Sequence, residues 1–401
     1  MPTVLASQSG QVVVKIKFGG LELTPNLARY DQASIDRSLS SWLIERHVLK
    51  FVSLETWRQA YQKLLECERL ATVQFGLNLG NQVLWQPEEQ RYVVGIETDG
   101  ASANSSQYGP TVVITTADNL FRLSLDRQSR AYTGDLTAVL TAMAANCGLG
   151  LEWEKTDGRV LNLIQAYQTN FDFLATRASP RLVSAGGLSG YVFYQRSNKL
   201  FVHTPAWAAC RAWSVSVGTD NAVTDWSIVD RLGLARAASR DGVNLAAFDP
   251  LAGELADLKT SADAAAKFSQ ATWPYARPQI SSSHTGVNGA ADELAKAQDK
   301  FARARLETVG ARFVVVNEPG VSPGDIIVVT APGKDPGAGN YLVKSVGSEL
   351  TVGNLRSLVT MVRSEVSLTG SAPGVALPAP QPVQPTLAPV QNPRGFPPGW
   401  V

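Results

Sequence analysis

Four runs between residues 311 and 364 decide how this chain is read: ARFVVVN (311–317), DIIVVTAP (325–332), NYLVKSVGSEL (340–350) and LRSLVTMVRS (355–364). Each is rich in Val, Ile and Leu. Pro323-Gly324 and Pro336-Gly337 supply turns between them. Four strands in about 55 residues predict a small barrel or sandwich.

Working back from there, residues 290–306 predict a helix. Leu294, Ala297, Phe301 and Ala304 form its apolar seam, and Asp292–Lys296 and Asp299–Arg303 are i, i+4 ion pairs in the favourable order. Residues 231–289 alternate poorly and are rich in Ala, Gly, Ser and Asp; an Ala-rich helix is expected near 252–268. Before them, WSVSVG (213–218) and VTDWSIV (223–229) flank TDNA and predict a hairpin.

Residues 126–206 read as helix, strand, helix, hairpin. DLTAVLTAMAANC (135–147), capped by Thr133 or Asp135, buries Leu136, Val139, Leu140 and Met143 and stops at Gly148. The strand GLGLEWE follows. LIQAYQTNFDFLATRA (163–178) then predicts a short helix with Asn170 as its cap and Asp172 in its first turn, which suits the helix dipole. GYVFYQRSNKLFVHT (190–204) is a hairpin turning at Arg196-Ser197-Asn198.

Nearer the start, QVVVKIKF (11–18) places Val12, Val14, Ile16 and Phe18 on one face of a strand that ends at Gly19-Gly20. ASIDRSL and SWLIE, within 33–45, predict two short strands. Ser53 caps a helix whose stripe is Trp57, Tyr61 and Leu64. QRYVVGIET (90–98) and PTVVITT (110–116) add two more strands around a Gly/Ser-rich loop.

The fold class that follows is α+β, mainly β. Residues 1–125 are expected to form a first β-barrel domain with one helix, and 126–206 a small α+β domain. Residues 207–230 and 300–365 would form a second barrel, 231–299 a loop and helix insertion, and 366–401 a Pro-rich extended tail. In that tail nine of the last thirty-seven residues are proline. Its aromatics, Phe396 and Trp400, are candidate anchors, because an extended strand loses little entropy when aromatics fill a partner's pocket.

Composition narrows the function. Lys and Arg total 36 against 35 Asp and Glu, so wholesale duplex binding by phosphate neutralisation is disfavoured. The three cysteines, Cys67, Cys147 and Cys210, are far apart, which argues against a disulfide framework and suits a reducing compartment. MPTVLASQSGQ lacks the charged and apolar regions of a signal peptide, and no apolar run is long enough to span a bilayer.

Motifs of chemistry are mostly missing. GLGLEW is not GxGxxG, APGKDPGAGN lacks the Walker spacing, and GGLSGY is not a GxSxG elbow. Glu152 and Glu154 share a strand face but read as a solvated edge. His284 follows three serines in a loop, His47 and His203 adjoin apolar runs, and no two histidines have metal-ligand spacing. Asn104 begins a sequon that means little without secretion.

Four segments together resemble the baseplate hub family of contractile phage tails and related injection machines. This is the late control D family, which includes the amino-terminal hub part of VgrG spike proteins. They are SIDRSLSSWLIE; YTGDLTAVLTAMAANCGLGLEW; IQAYQTNFDFLATRA running on to GYVFYQRSNKLFVHTP; and SPGDIIVVTAPGKDPGAGNYLVKSVGSEL, with its Pro-Gly-Asp turn. Residues 46–89 and 231–289 have no counterpart in the resemblance.

The resemblance implies a homotrimer in which each chain contributes two barrels similar to tail-tube subunits. Three chains then present six similar faces, joining a sixfold tail tube to a threefold central spike around a DNA-ejection channel. It implies a structural protein of the virion tail baseplate, assembled in the host cytoplasm. Its partners would be itself, tail tube proteins, a spike protein and other baseplate proteins. DNA would pass only transiently, and no catalytic residue, cofactor, metal or stable membrane insertion is implied. With no β-helical array or hydrolase-like module after the second barrel, the spike is expected to be a separate protein tethered by the Pro-rich tail. The alternatives are a tail-associated peptidoglycan hydrolase and the tail-tip protein of a non-contractile tail.

Overall fold

The computed structural model of the protein describes residues 3–5, 8–99, 109–205, 207, 210–217, 224–230, 244–249, 254–259, 295, 299, 303, 306, 309–330, 338–351 and 353–363. The chain is mainly β with few helices, as the sequence predicts.

The chain opens with β1 (Thr3–Val4). There follow β2 (Gln11–Phe18), β3 (Leu21–Glu22), β4 (Ala28–Ser38), β5 (Ile44–Phe51), α1 (Leu54–Glu66), β6 (Leu70–Asn78), β7 (Val83–Trp85), β8 (Glu89–Asp99) and β9 (Thr111–Ala117). Strands β4 to β9 with β2 and β3 curl around one core that includes Val12, Ile16, Phe18, Ile35, Leu49, Phe51, Val73 and Ile114. Fully burying each such side chain is worth about 1.5–3 kcal/mol. α1 caps as the sequence indicates: Ser53 Oγ accepts from Thr56 N at 3.1 Å and Ser53 N donates to Thr56 Oγ1 at 3.1 Å. It packs Trp57, Ala60 and Leu64 on this core, with Tyr61 only partly buried. Gly19 cannot be replaced cheaply, because it has φ +52° and a Cβ there would strike Cys67 Sγ.

A 3-10 turn (Asn119–Ser124) leads into β10 (Arg127–Asp135), α2 (Leu136–Asn146), β11 (Gly150–Trp153) and β12 (Val160–Thr169). α3 (Asn170–Phe173) runs on into one π turn (Leu174–Ala178), and β13 (Val192–Arg196) and β14 (Lys199–His203) complete this unit. Asp135 caps α2, its carboxylate accepting from Thr137 N at 3.1 Å. The cap of α3 is Thr169, one residue before the expected Asn170; its hydroxyl accepts from Asp172 N at 3.0 Å. Asn170 is instead held by Gln165 Nε2 at 3.1 Å. Ser197 and Asn198, both with positive φ, turn the β13–β14 hairpin. Phe173, Leu174 and Ala178 are core here, packed with Leu140, Met143, Tyr191 and Phe193.

β15 (Ala212–Ser216), β16 (Thr224–Asp230), β17 (Asn244–Asp249), β18 (Glu254–Lys259), β19 (Val309–Val316), β20 (Ile326–Thr330), β21 (Gly339–Thr351) and β22 (Asn354–Arg363) follow. β1, β15, β16 and β19–β22 enclose a third core that includes Leu5, Trp213, Phe313, Ile327, Tyr341, Val359 and Met361.

Three local expectations are corrected. Of SWLIE only Ile44 and Glu45 are strand: Ser40 turns with φ +54°, and the strand begins at Ile44 and runs to Phe51. WSVSVG and VTDWSIV do not form a hairpin. β15 runs parallel between β1 and β20, while β16 pairs antiparallel with β19, because strands find partners by sheet geometry and not by nearness in sequence. The expected Ala-rich helix near 252–268 gives way to β18, antiparallel to β17. Of the helix expected at 290–306, Ala295, Asp299, Arg303 and Leu306 are described and helical, with Asp299–Arg303 paired at 2.8 Å.

One strand joins the two β modules. Along one edge of β21, Gly339–Leu342 pairs with β20 of the second module, and after a bulge Ser345–Thr351 pairs with β4 of the first. Its other edge pairs with β22 along almost its whole length. The tip of this hairpin drives Leu350 and Leu355 into the first core, and Val12 N donates to Gly353 O at 2.7 Å. The result is a continuous 15-stranded sheet.

Candidate functional site

The chemistry of the described residues gathers where the three cores meet. Alternation in β5 turns Glu45, His47, Leu49 and Phe51 inward and Arg46 and Lys50 outward. The first two therefore bury polar groups beside an apolar core. Glu45 accepts from Arg91 Nε at 3.0 Å, Arg91 Nη2 at 3.3 Å and Thr116 Oγ1 at 3.2 Å, and lies 3.6 Å from Arg37. His47 Nε2 donates to Glu45 at 3.3 Å, which leaves Nδ1 to accept from the Tyr30 hydroxyl at 2.7 Å. Burial alone would raise the Glu45 pKa; Arg91, with His47 and Arg37, outweighs it and holds the carboxyl well below the usual range. Glu89 is also an ion-pair partner of Arg91.

Asp325, in the Pro-Gly-Asp turn, anchors the second half of the junction. Its fully buried carboxylate accepts from Arg196 Nη1 at 2.6 Å, Arg211 Nε at 3.2 Å, Trp213 Nε1 at 2.9 Å and Ser322 N at 3.0 Å. Arg196 comes from β13, so this ion pair ties the α+β unit to the second β module. The preceding Gly324 has φ +85°, and a Cβ there would run into the Tyr194 ring.

On the first module's side, Trp42 packs edge-on against Phe121 and Phe171. Ser40 N donates to Phe193 O at 2.8 Å, Ser197 N to Glu89 Oε1 at 3.2 Å and Gln90 N to Asn198 Oδ1 at 3.3 Å. The aromatic pair in NFDF thus divides its work: Phe173 fills the α+β core, and Phe171 meets Trp42 at the joint.

The residues flagged in the sequence are not brought together. Glu152 pairs with Lys199 at 2.6 Å on the surface, while Glu154 accepts from Thr204 N at 2.7 Å. His203 donates from Nδ1 to Thr204 O at 2.7 Å and accepts at Nε2 from the Tyr194 hydroxyl at 3.1 Å; burial pushes its pKa down to about 4. Phe396, Trp400, His284 and Asn104 lie outside the described residues. Among the described residues no group of three His, Cys, Asp or Glu side chains is placed to hold a metal ion. Sequence reasoning missed both buried ion-pair clusters, Glu45 with Arg91 and Asp325 with Arg196 and Arg211. The signal for Glu45 was the period-2 pattern of IERHVLKF, which puts it on the face of Leu49 and Phe51.

This curled, mainly β fold is shared with solved structures of tail proteins. A 43 kDa tail protein of prophage MuSo2 from Shewanella oneidensis matches with TM-score 0.54 and 12% identity, over 88% of this chain and 98% of its own. A tail protein from Neisseria meningitidis MC58 matches with TM-score 0.56 and 12% identity, over 90% of this chain and 100% of its own. An E. coli component of the type VI secretion system, described as structurally similar to the T4 bacteriophage tail proteins gp27 and gp5, matches with TM-score 0.54 and 10% identity, over 90% of this chain and 79% of its own. No protein-family profile and no curated protein matches the chain by sequence.

Proposed function

We propose that the chain is the structural hub of a tail baseplate of the late control D kind. It works as a homotrimer that joins a sixfold tail tube to a threefold spike and lines part of the ejection channel. The observation that carries this reading is the fusion of two separately cored β modules through β21. Three such chains offer six β modules to a ring above and three identical chains to a spike below, which is the symmetry adaptation a hub requires. The fold shared with the Shewanella, Neisseria and E. coli proteins supports the reading. In it the protein is a virion component without catalytic activity. Its partners are its own copies, tube proteins, a spike protein and other baseplate proteins, and the 366–401 segment, through Phe396 and Trp400, tethers the spike.

Mass measurement of the purified protein by light scattering tests the reading. The expected mass is three times the 43.0 kDa of one chain. A monomer or dimer at tens of micromolar, with no larger species, would refute it.

A further inference from the structure

A cleft opens where the two β modules and the α+β unit meet. Arg37 of β4, Ser41 and Asp118, just after β9, line it from the first module, Gln195 of β13 from the α+β unit, and Ser322 from the second module. Its interior measures about 20 Å³, which is room for one water-sized molecule. Three buried side-chain atoms of these residues have no hydrogen-bond partner among the described residues: Arg37 Nε, Asp118 Oδ1 and Gln195 Nε2. Buried polar atoms are rarely left so, because they have given up water for nothing. The orphans cannot be removed by turning the side chains over. Gln195 Oε1 accepts from Leu120 N at 3.2 Å, so a flipped amide would set its NH2 against that N–H. Arg37 is committed through Nη2 to Glu45 at 3.6 Å. Asp118 is almost wholly buried. Asp118 Oδ1 and Gln195 Nε2 are an acceptor and a donor on one cleft, yet no direct bond joins them.

We propose that this cleft is the binding site of one ordered water molecule, which accepts from Gln195 Nε2 and Arg37 Nε and donates to Asp118 Oδ1. The chemistry selects water over an ion. A bare cation would face two N–H donors and a bare anion a carboxyl oxygen, whereas water both accepts and donates. Three bonds are what a buried water usually makes. Ser41 can receive a fourth: its hydroxyl gives its own proton to Trp42 O at 3.4 Å, which leaves lone pairs to accept. The water thereby ties the first β module to β13 of the α+β unit, beside the direct bond from Ser40 N to Phe193 O at 2.8 Å. Such a bridge is enthalpically nearly as good as a direct hydrogen bond. It lies within one chain and is expected whether or not that chain forms a ring.

A crystal structure of the full chain at atomic resolution tests the site. One isolated water peak within about 3.2 Å of both Gln195 Nε2 and Asp118 Oδ1, repeated in every copy of the chain, is expected. No peak there, a peak that reaches only one of the two atoms, or a direct Asp118–Gln195 bond overturns the proposal. A double-mutant cycle reads the same bridge in solution. Arg37→Lys removes Nε but keeps a charge for Glu45, and Gln195→Met removes Nε2. The two side chains share no protein acceptor. Without a common water, their effects on the folding constant should therefore multiply to within about twofold. With it, each single variant already breaks the bridge, and the double variant loses less than the product by more than about twofold. Multiplication within that limit overturns the proposal. Should either variant fail to fold, the wild-type density decides alone.

Discussion

Glu45 shows how one side chain can hold a joint and also limit it. Its charge survives burial only because Arg91, Arg37, His47 and Thr116 surround it. A carboxyl depressed on folding contributes stability above its unfolded pKa of about 4.3, and that stability is lost as pH falls below it. Urea midpoints measured from pH 7 downward should decline below about pH 4. Glu45→Gln should flatten that decline while costing about 3–5 kcal/mol at neutral pH, because Arg91 is then buried with half its partners gone. An unchanged acid limb in the variant would show that the carboxylate is not the source. Little of this was legible in the sequence. Reading SWLIE as a strand ended the pattern at Glu45, so the inward set Glu45, His47, Leu49 and Phe51 was cut at its first member. Charged residues on a buried face are what hydropathy alternation is least able to show.

Among elements, the start of the chain depends on one residue. β1 lies on β15 in the second module, then the chain crosses to β2 in the first. Asn317, just after β19 with φ +55°, spans that crossing: Nδ2 donates to Gly10 O at 2.7 Å and Gln8 O at 3.3 Å, and Oδ1 accepts from Leu355 N at 2.8 Å. Asn is among the residues that tolerate this backbone conformation. Asn317→Ala strands the buried groups and strains the turn, and should cost about 2–4 kcal/mol in denaturant unfolding. A loss below about 0.5 kcal/mol would remove Asn317 from this role. Elements with strong periodicity, β2, α1, α2 and the β13–β14 hairpin, were legible because their signals are local. The partners of β15 and β16 were not, since pairing with a strand about eighty or more residues away leaves no local mark. The Ala-rich stretch around β18 has a pattern that fits helix and strand alike.

In the whole molecule, the sequence announces many strands but not that fifteen of them join in one sheet. NYLVKSVGSEL reads as an ordinary strand, yet β21 changes partner halfway along, from β20 to β4, and makes one body of two modules. The proposed hub depends on that continuity, because a threefold ring imitates a sixfold one only if its paired modules keep a fixed relation. Electron cryomicroscopy of the assembled tail end, with this chain fitted, is the most direct test. The account predicts three copies around a central channel, their six β modules spaced at near-equal angles beneath the tube. A single copy, or a ring in which only one module of each chain meets the tube, would contradict it.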